Sequence, residues 1–257
     1  MELKIFDSHA HYDDQQFDED REKVIEEIHK AGVVGVLNCG SSLDGARTSF
    51  KLAKEYDFFY AAVGIHPENA YELNDSALQE IEHMAISSDK VRAIGEIGLD
   101  YYWDENPPRD VQKEAFRKQM ALAQKLSLPV VIHDREAHED TLTIIKEFPE
   151  VKGVVHCFSG SVEFARQCLK EGYYIGITGV VTFKNAKKIV EVVKEVPMDR
   201  LLVETDCPYM APTPFRGKRN RSDYIPYIIE EIAKIKGLSQ LEVCDATRQN
   251  IKNLLKL

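Results

Sequence analysis

Residues 6 to 13 read FDSHAHYD, two histidines one position apart with aspartates on both sides, at the end of the first apolar run. Alternate side chains of a β-strand share a face, so Asp7, His9 and His11 point one way and Phe6, Ser8 and Ala10 the other. Two neighbouring imidazoles with a carboxylate below them form a convergent set of metal ligands. A polar strand end with ordinary surface histidines has the same local pattern, so the rest of the chain must decide.

The same residue types recur at the ends of later apolar runs. His66 closes FFYAAVGIHP (58–67), His133 closes LPVVIHD (128–134) and His156 lies in GVVHCFSG (153–160). VRAIGEIGLD (91–100) carries Glu96 and Asp100, and RLLVETDCP (200–208) carries Glu204 and Asp206. Of eight histidines, only His29, His83 and His138 fall on helical patterns, where they read as solvated surface residues. Buried polar groups must be paired or coordinated, so five strand-end histidines with carboxylates are hard to explain as core packing. Four histidines and two carboxylates exceed the ligand set of one zinc ion and suit two metals about 3.5–4 Å apart. Glu96 is suited to bridge them, because a carboxylate offers two oxygens.

The elements that must position these groups alternate along the chain. Eight short runs rich in Val and Ile, completed by LKIFDSH (3–9), VVGVLNCG (33–40) and YYIGITG (173–179), show little alternation, as parallel strands buried on both faces do. Between them lie amphipathic stretches such as DEDREKVIEEIHKAG, ending at Gly32, and PRDVQKEAFRKQMALAQKLS. Two helical stretches, about 222–236 and 239–255, close the chain. Eight strand–helix units in 257 residues point to an α/β fold, a (β/α)8 TIM barrel forming one domain over 1–257, with the site at the C-terminal ends of the strands. A doubly wound sheet is the alternative, but no Gly-rich phosphate loop follows the first strand.

The successive motifs FDSHAH, AAVGIHP, IGEIGLDYYW, PVVIHDREAHEDTL, VVHCFSG and LLVETDCPY resemble the TatD family of metal-dependent deoxyribonucleases, within the wider amidohydrolase-like barrels. The likeness runs from residue 5 to about residue 250. It implies that His9 and His11 bind one metal, that Glu96 bridges, that His133 and His156 bind the second, and that Asp206 completes the site. The ions are divalent, with zinc, manganese, cobalt or magnesium all compatible with such a mixed site. Related barrels often bridge with a carbamylated lysine, whereas the fourth strand here offers Glu96 and no lysine at that end, which favours the nuclease-like branch. The implied reaction is phosphodiester hydrolysis by a metal-activated water, with Asp206 as proton acceptor. Glu204, two residues earlier on the same face, then serves as an orienting group or alternate base, or else as a barrel-interior carboxylate paired with a basic residue.

After the eighth strand, TPFRGKRNRSDY (213–224) places Arg216, Lys218, Arg219 and Arg221 on a loop that in such barrels often binds phosphate. They are expected to contact substrate, with His66 positioning a phosphate without binding metal. The family commonly has Asn-Glu-Pro where this chain has Asn220, Arg221 and Ser222. In DYYWDENPPRD (100–110), Tyr101, Tyr102 and Trp103 either stack on a base or, for at least two of them, pack over the barrel mouth.

Composition narrows the function further. A net charge of −10 and a pI near 5.4 argue against a dedicated DNA-binding protein, yet allow a catalyst that touches DNA transiently as substrate. No apolar stretch reaches membrane-spanning length, no signal-peptide pattern opens MELKIFDSHAHYDD, and no obligate protein partner is evident. Five widely spaced cysteines without a Cys-x-x-Cys pair read as reduced thiols of a cytoplasmic protein. The expected activity is therefore that of a DNase trimming 3′ ends of single strands. A related hydrolase cleaving a small amide, lactone or phosphoester, and a non-catalytic barrel braced by metal, are the alternatives.

Overall fold

The computed structural model describes residues 3–257, so the first two residues of the opening stretch lie outside it. Eight parallel strands follow one another in chain order: β1 (Ile5–Ala10), β2 (Val33–Cys39), β3 (Phe59–Val63), β4 (Val91–Asp100), β5 (Val130–Arg135), β6 (Gly153–Val155), β7 (Tyr174–Ile177) and β8 (Leu201–Val203). The ring is closed just past β8, where Ala10 bridges Cys207 and the His11 N–H donates to the Cys207 carbonyl at 2.8 Å. This is the (β/α)8 barrel that the alternation of apolar runs and amphipathic stretches predicts.

Helices α1 (Arg21–Lys30), α2 (Leu43–Glu55), α3 (Asp75–Ser87), α4 (Arg109–Leu126), α5 (His138–Glu147), α6 (Val162–Lys170), α7 (Lys187–Glu195) and α8 (Ile225–Lys236) are threaded between and after the strands, and α9 (Gln240–Leu255) ends the chain. Their starts are chemically marked. Ser42, Asn74 and Ser161 accept from backbone N–H groups of the first turns of α2, α3 and α6, and Ser239 with Glu242 forms a capping box on α9.

Alternate strand residues divide the core in two. Ile5, Val36, Ala61 and Ile94 pack outward against the helices, whereas Phe6, Leu37, Ala62 and Val131 fill the barrel interior. Ile251, Leu254 and Leu255 of α9 join the interior cluster, so this last helix seals the end of the barrel away from the histidines.

The sixth and eighth strands are shorter than their apolar runs suggest. The backbone leaves the sheet after Val155 and Val203 and turns, with Cys157 at φ 41° and Asp206 at φ 56°. These left-handed conformations re-aim His156 and Asp206 across the barrel mouth, and strained backbone of this kind concentrates at functional sites. Hydrophobicity alone does not reveal where a buried run stops being strand.

Candidate metal centre

The cluster is gathered from several strands, with His9 from β1 and His11 directly after it, and Glu96 of β4 stands at the centre. Its Oε2 lies 3.4 Å from Nε2 of both His9 and His11. Its Oε1 lies 2.7 Å from His156 Nε2, 2.9 Å from His133 Nδ1 and 3.6 Å from His66 Nε2. Asp206 Oδ1 sits 3.4 Å from His11 Nε2 and 3.6 Å from His9 Nε2. His9 and His156 stack face to face, with ring centroids 3.8 Å apart. The six residues to which the sequence assigned metal thus meet in one place, and His66 joins them.

Two glycines make room for this arrangement. Gly98 of β4 has φ +144°, and a side chain there would strike the His133 carbonyl. At Gly176 of β7 a Cβ would come within 2.5 Å of the Glu204 carboxylate.

Hydrogen bonds from outside fix the rings. His11 Nδ1 donates to the Cys39 carbonyl at 2.7 Å, which aims Nε2 inward. His133 Nε2 meets Asp100 Oδ2 at 3.0 Å, leaving Nδ1 for Glu96. Such outer partners set tautomer and orientation in metal sites. His66 differs: its Nδ1 accepts the Glu68 N–H at 3.2 Å, so the neutral ring carries its proton on Nε2, which lies 3.6 Å from Glu96 Oε1.

The electrostatics also call for cations. Burial opposes charge on Glu96, yet the surrounding imidazoles hold it well below the usual carboxylate range. Burial likewise opposes charge on Asp206, and the His11 hydrogen bond with the charges of His156 and His9 outweighs it. Burial disfavours a proton on His11 and His133, but their carboxylate neighbours raise both to about 10. Burial, reinforced by the adjacent histidines, lowers His9 to about 4 and His66 to about 3. Carboxylates this deep draw positive charge, and His9 Nε2 lying 2.9 Å from His11 Nε2 places two ligand nitrogens on one point. The donors fit divalent metal. His9, His11 and Asp206 form one group with ligand atoms within 4.8 Å of one another, and His9, Glu96 and His156 form a second. His66, Glu96 and His133 form a third by distance, but the Nε2 proton of His66 makes that nitrogen a donor rather than a ligand.

Several expectations are corrected. Asp7 does not face the cluster: its carboxylate accepts from Thr205 Oγ1 at 2.6 Å and Ser222 Oγ at 2.7 Å, and so bolts β1 to the segment after β8. Glu204 is sealed beneath His156, accepts from the Cys157 N–H and Ser8 Oγ, and is pushed up to about 7 by burial. It does not line the cavity, which removes it as an alternate base, and its Oε1 lies 3.7 Å from His156 Nδ1. None of Arg216, Lys218, Arg219 and Arg221 lines the cavity either. Arg219 grips Asp20 just before α1, Arg221 pairs with Glu27 and Asp223, Arg216 lies over Phe183 and Lys218 over Phe215. Arg219 and Arg221 are spent on holding the loop to its neighbours, whereas Arg216 and Lys218 are exposed and make no ion pair among the described residues. Buried Asn220 and Ser222 anchor the loop from beneath, Asn220 donating to the Thr205 and Tyr209 carbonyls and Ser222 to Asp7.

The mouth is a cavity of about 870 Å³ whose walls carry eight Asp and Glu side chains but only Arg135 and Lys188 as Lys or Arg residues. His138, read from sequence as a surface residue, lines it, with Nδ1 2.5 Å from Asp134 Oδ1 and its ring stacked on Phe164. Tyr101 is half-buried and donates to Asp140, as packing predicts, but Tyr102 and Trp103 are 46% and 49% exposed and line the mouth. The contiguous HDREAH string (133–138) holds Asp134, Arg135 and His138, a signal that attention to His133 alone passed over.

A parallel barrel with histidines and carboxylates converging at its C-terminal rim defines an amidohydrolase-like barrel. Residues 6–256 match the family described as TatD related DNase, and the chain belongs to that family of metal-dependent hydrolases. It is 46% identical over 255 residues to the uncharacterized metal-dependent hydrolase YabD of Bacillus subtilis, covering 98% of this chain and 99% of that protein. It is 35% identical over 261 residues to the 3'-5' ssDNA/RNA exonuclease TatD of Pectobacterium carotovorum, covering 98% and 100%. Among solved structures it is similar to the TatD homologue YJJV of Escherichia coli, with a TM-score of 0.93 at 30% identity over the whole of both chains. Among the described residues, no helix is long and apolar enough to cross a membrane.

Proposed function

We propose that the protein is a divalent-metal-dependent nuclease that hydrolyses phosphodiester bonds and removes nucleotides from the ends of single-stranded DNA. One observation carries this reading: the two oxygens of Glu96 face two different sets of imidazoles, His9 and His11 on one side, His133 and His156 on the other. In it, His9, His11 and Asp206 would hold one ion and His133 and His156 the other, with Glu96 serving both. The name of the Pectobacterium relative supports polynucleotide as the substrate class.

Bound divalent ions supply Lewis acidity toward water and toward a phosphoryl oxygen. The chain's own groups do the rest. Asp206 reaches the cavity from the cluster's edge and takes the proton of the attacking water. His66, its proton held on Nε2 by the Glu68 N–H, donates to a non-bridging phosphate oxygen. Asp100 holds His133, the Cys39 carbonyl holds His11, and Glu204 underlies His156, so the rings keep their aim as charge shifts above them. Residues 3–257 act as one catalytic unit, and five cysteines with no disulfide among them fit a reducing, cytoplasmic setting.

The test is degradation of end-labelled single- and double-stranded oligonucleotides, with small lactones and amides as comparison substrates, with and without chelator. Chelator-sensitive shortening of single strands is expected. Turnover of the small substrates with inert oligonucleotides would overturn the reading.

A further inference from the structure

We propose that Tyr102, Trp103 and Arg135 form a subsite that stacks an unpaired nucleobase and binds the phosphate next to it; this rests on the nuclease reading and specifies how the substrate is held. Arg135, the last residue of β5, lies two positions beyond His133, and its guanidinium sits 4.1 Å from the ring centroid of Tyr102 and 5.6 Å from that of Trp103. The rings of Tyr102 and Trp103 meet edge to face at 4.7 Å and 89°. The three make one shelf on the wall of the cavity that contains Glu96, His133 and Asp206.

Two features separate this shelf from packing. Tyr102 and Trp103 are about half exposed, more than the adjoining half-buried Tyr101, so aromatic surface is left open inside a strongly acidic mouth. Among the described residues, Arg135 has no carboxylate within 4.0 Å and its guanidinium has no hydrogen-bond acceptor, whereas Arg219 and Arg221 each grip carboxylates. A guanidinium stacked on a ring keeps its N–H edge free, and that edge matches two phosphate oxygens. Arg135 and Lys188 are also the only Lys or Arg residues facing a polyanion that enters this cavity. Aromatic faces accept any base without reading its edges, so the shelf selects unpaired strands, whose bases are free to stack, over duplex.

Trp103 is the chain's one tryptophan, so its emission reports on this shelf alone. The full-length protein is titrated with a hydrolysis-resistant phosphorothioate oligothymidylate, and with an abasic oligomer of the same backbone. Fluorescence anisotropy of end-labelled copies of both measures binding independently. Saturable quenching by oligothymidylate is expected, with the abasic oligomer binding about tenfold more weakly and quenching little. Arg135→Gln should weaken both about tenfold. Trp103→Ala and Tyr102→Ala, surface changes whose folding is checked by circular dichroism, should each weaken oligothymidylate by anisotropy about fivefold to a hundredfold and affect the abasic oligomer far less. Equal affinity for the two oligomers, binding without quenching, or no binding at all would overturn the proposal. Quenching by a protein that hydrolyses no phosphodiester would sustain the shelf and overturn the nuclease reading. Hydrolysis without quenching would do the reverse.

Discussion

Asp100 Oδ2 lies 3.0 Å from His133 Nε2, so the ring whose Nδ1 faces Glu96 is held from behind by a second carboxylate on the same strand as Glu96. Gly98, between the two on β4, lets the backbone run against His133 on β5. Asp100→Asn keeps the shape but weakens the hold on the His133 proton. We expect metal affinity or kcat to fall about 10–100-fold. Metal content by mass spectrometry alongside kcat checks this, and an unchanged pair would make Asp100 a packing residue.

Glu96 is more demanding. If both ions share it, Glu96→Gln leaves one good ligand oxygen and a poorly coordinating amide nitrogen among five imidazoles. Bound metal should drop and hydrolysis should fall by several orders of magnitude, while far-ultraviolet circular dichroism and the barrel's melting transition persist. Full metal stoichiometry with full activity would show that the division of its two oxygens has no functional meaning.

His66 separates holding metal from holding substrate. Its Nδ1 is occupied by the Glu68 N–H, so Nε2 is a proton donor. His66→Ala should therefore leave metal content intact and cost hydrolysis about tenfold to a thousandfold, in keeping with removal of one donor to a developing phosphoryl charge. Loss of half the metal in this variant would instead place Nε2 among the ligands.

The strands, and the meeting of His9, His11, Glu96, His133, His156 and Asp206 at one end of the barrel, were legible because both rest on local patterns. Buried parallel strands read as runs of Val and Ile, and polar residues gather in or just past them, as His133 follows VVI and His156 follows VV. What charge does on the surface was not legible. Arg219 and Arg221 look like a phosphate-binding run when only TPFRGKRNRSDY is read, because their partners Asp20 and Glu27 lie about two hundred residues earlier. Arg135 and His138 mislead for the opposite reason: His138 reads as a surface residue and Arg135 looks ordinary until the fold turns the end of β5 and the start of α5 into the cavity. The direction of Asp7 also depended on the far end of the chain, since Thr205 and Ser222 claim its carboxylate.

The Arg219–Asp20 pair makes a stability prediction with a definite sign. The Arg219 hydrogen bonds hold the Asp20 carboxyl below its ordinary 3.8, so as pH falls the unfolded chain takes up the proton first. The pair's contribution is present above that ordinary value and is lost as pH drops through the lowered one. Arg219→Ala should cost about 1 kcal/mol or less through the ion pair at neutral pH, as partly exposed pairs do, and less at strongly acid pH, where only its hydrogen bond to the Gln16 carbonyl and its contact with the Phe17 ring remain to be lost. It should leave KM and its salt dependence unaltered, because this guanidinium faces α1 and not the cavity. Urea unfolding at several pH values, with KM measured against salt, checks both halves. A flattened salt slope would return the residue to the substrate.

Entry by a strand end follows from the charge around the mouth. Eight carboxylates, one Arg, one Lys and five histidines line a cavity of about 870 Å³, within the range of about 300–1,000 Å³ that holds one small ligand. A duplex laid across this rim would set many phosphates against Asp and Glu at once, and the net charge of −10 repels a polyanion further. A single-stranded end brings one or two phosphates past the rim to Arg135 and the histidine cluster, and little more need be desolvated. Linear single strands should therefore be shortened progressively from an end, frayed duplex ends more slowly, and intact duplex hardly at all. Circular single-stranded DNA is the deciding substrate, since it has the same bases, charge and flexibility but no end. It should survive under conditions that consume its linear counterpart, with raised salt slowing attack on the linear strand. Cleavage of the circle at the linear strand's rate would show that the chain enters the cavity by its middle, and the protein would be an endonuclease.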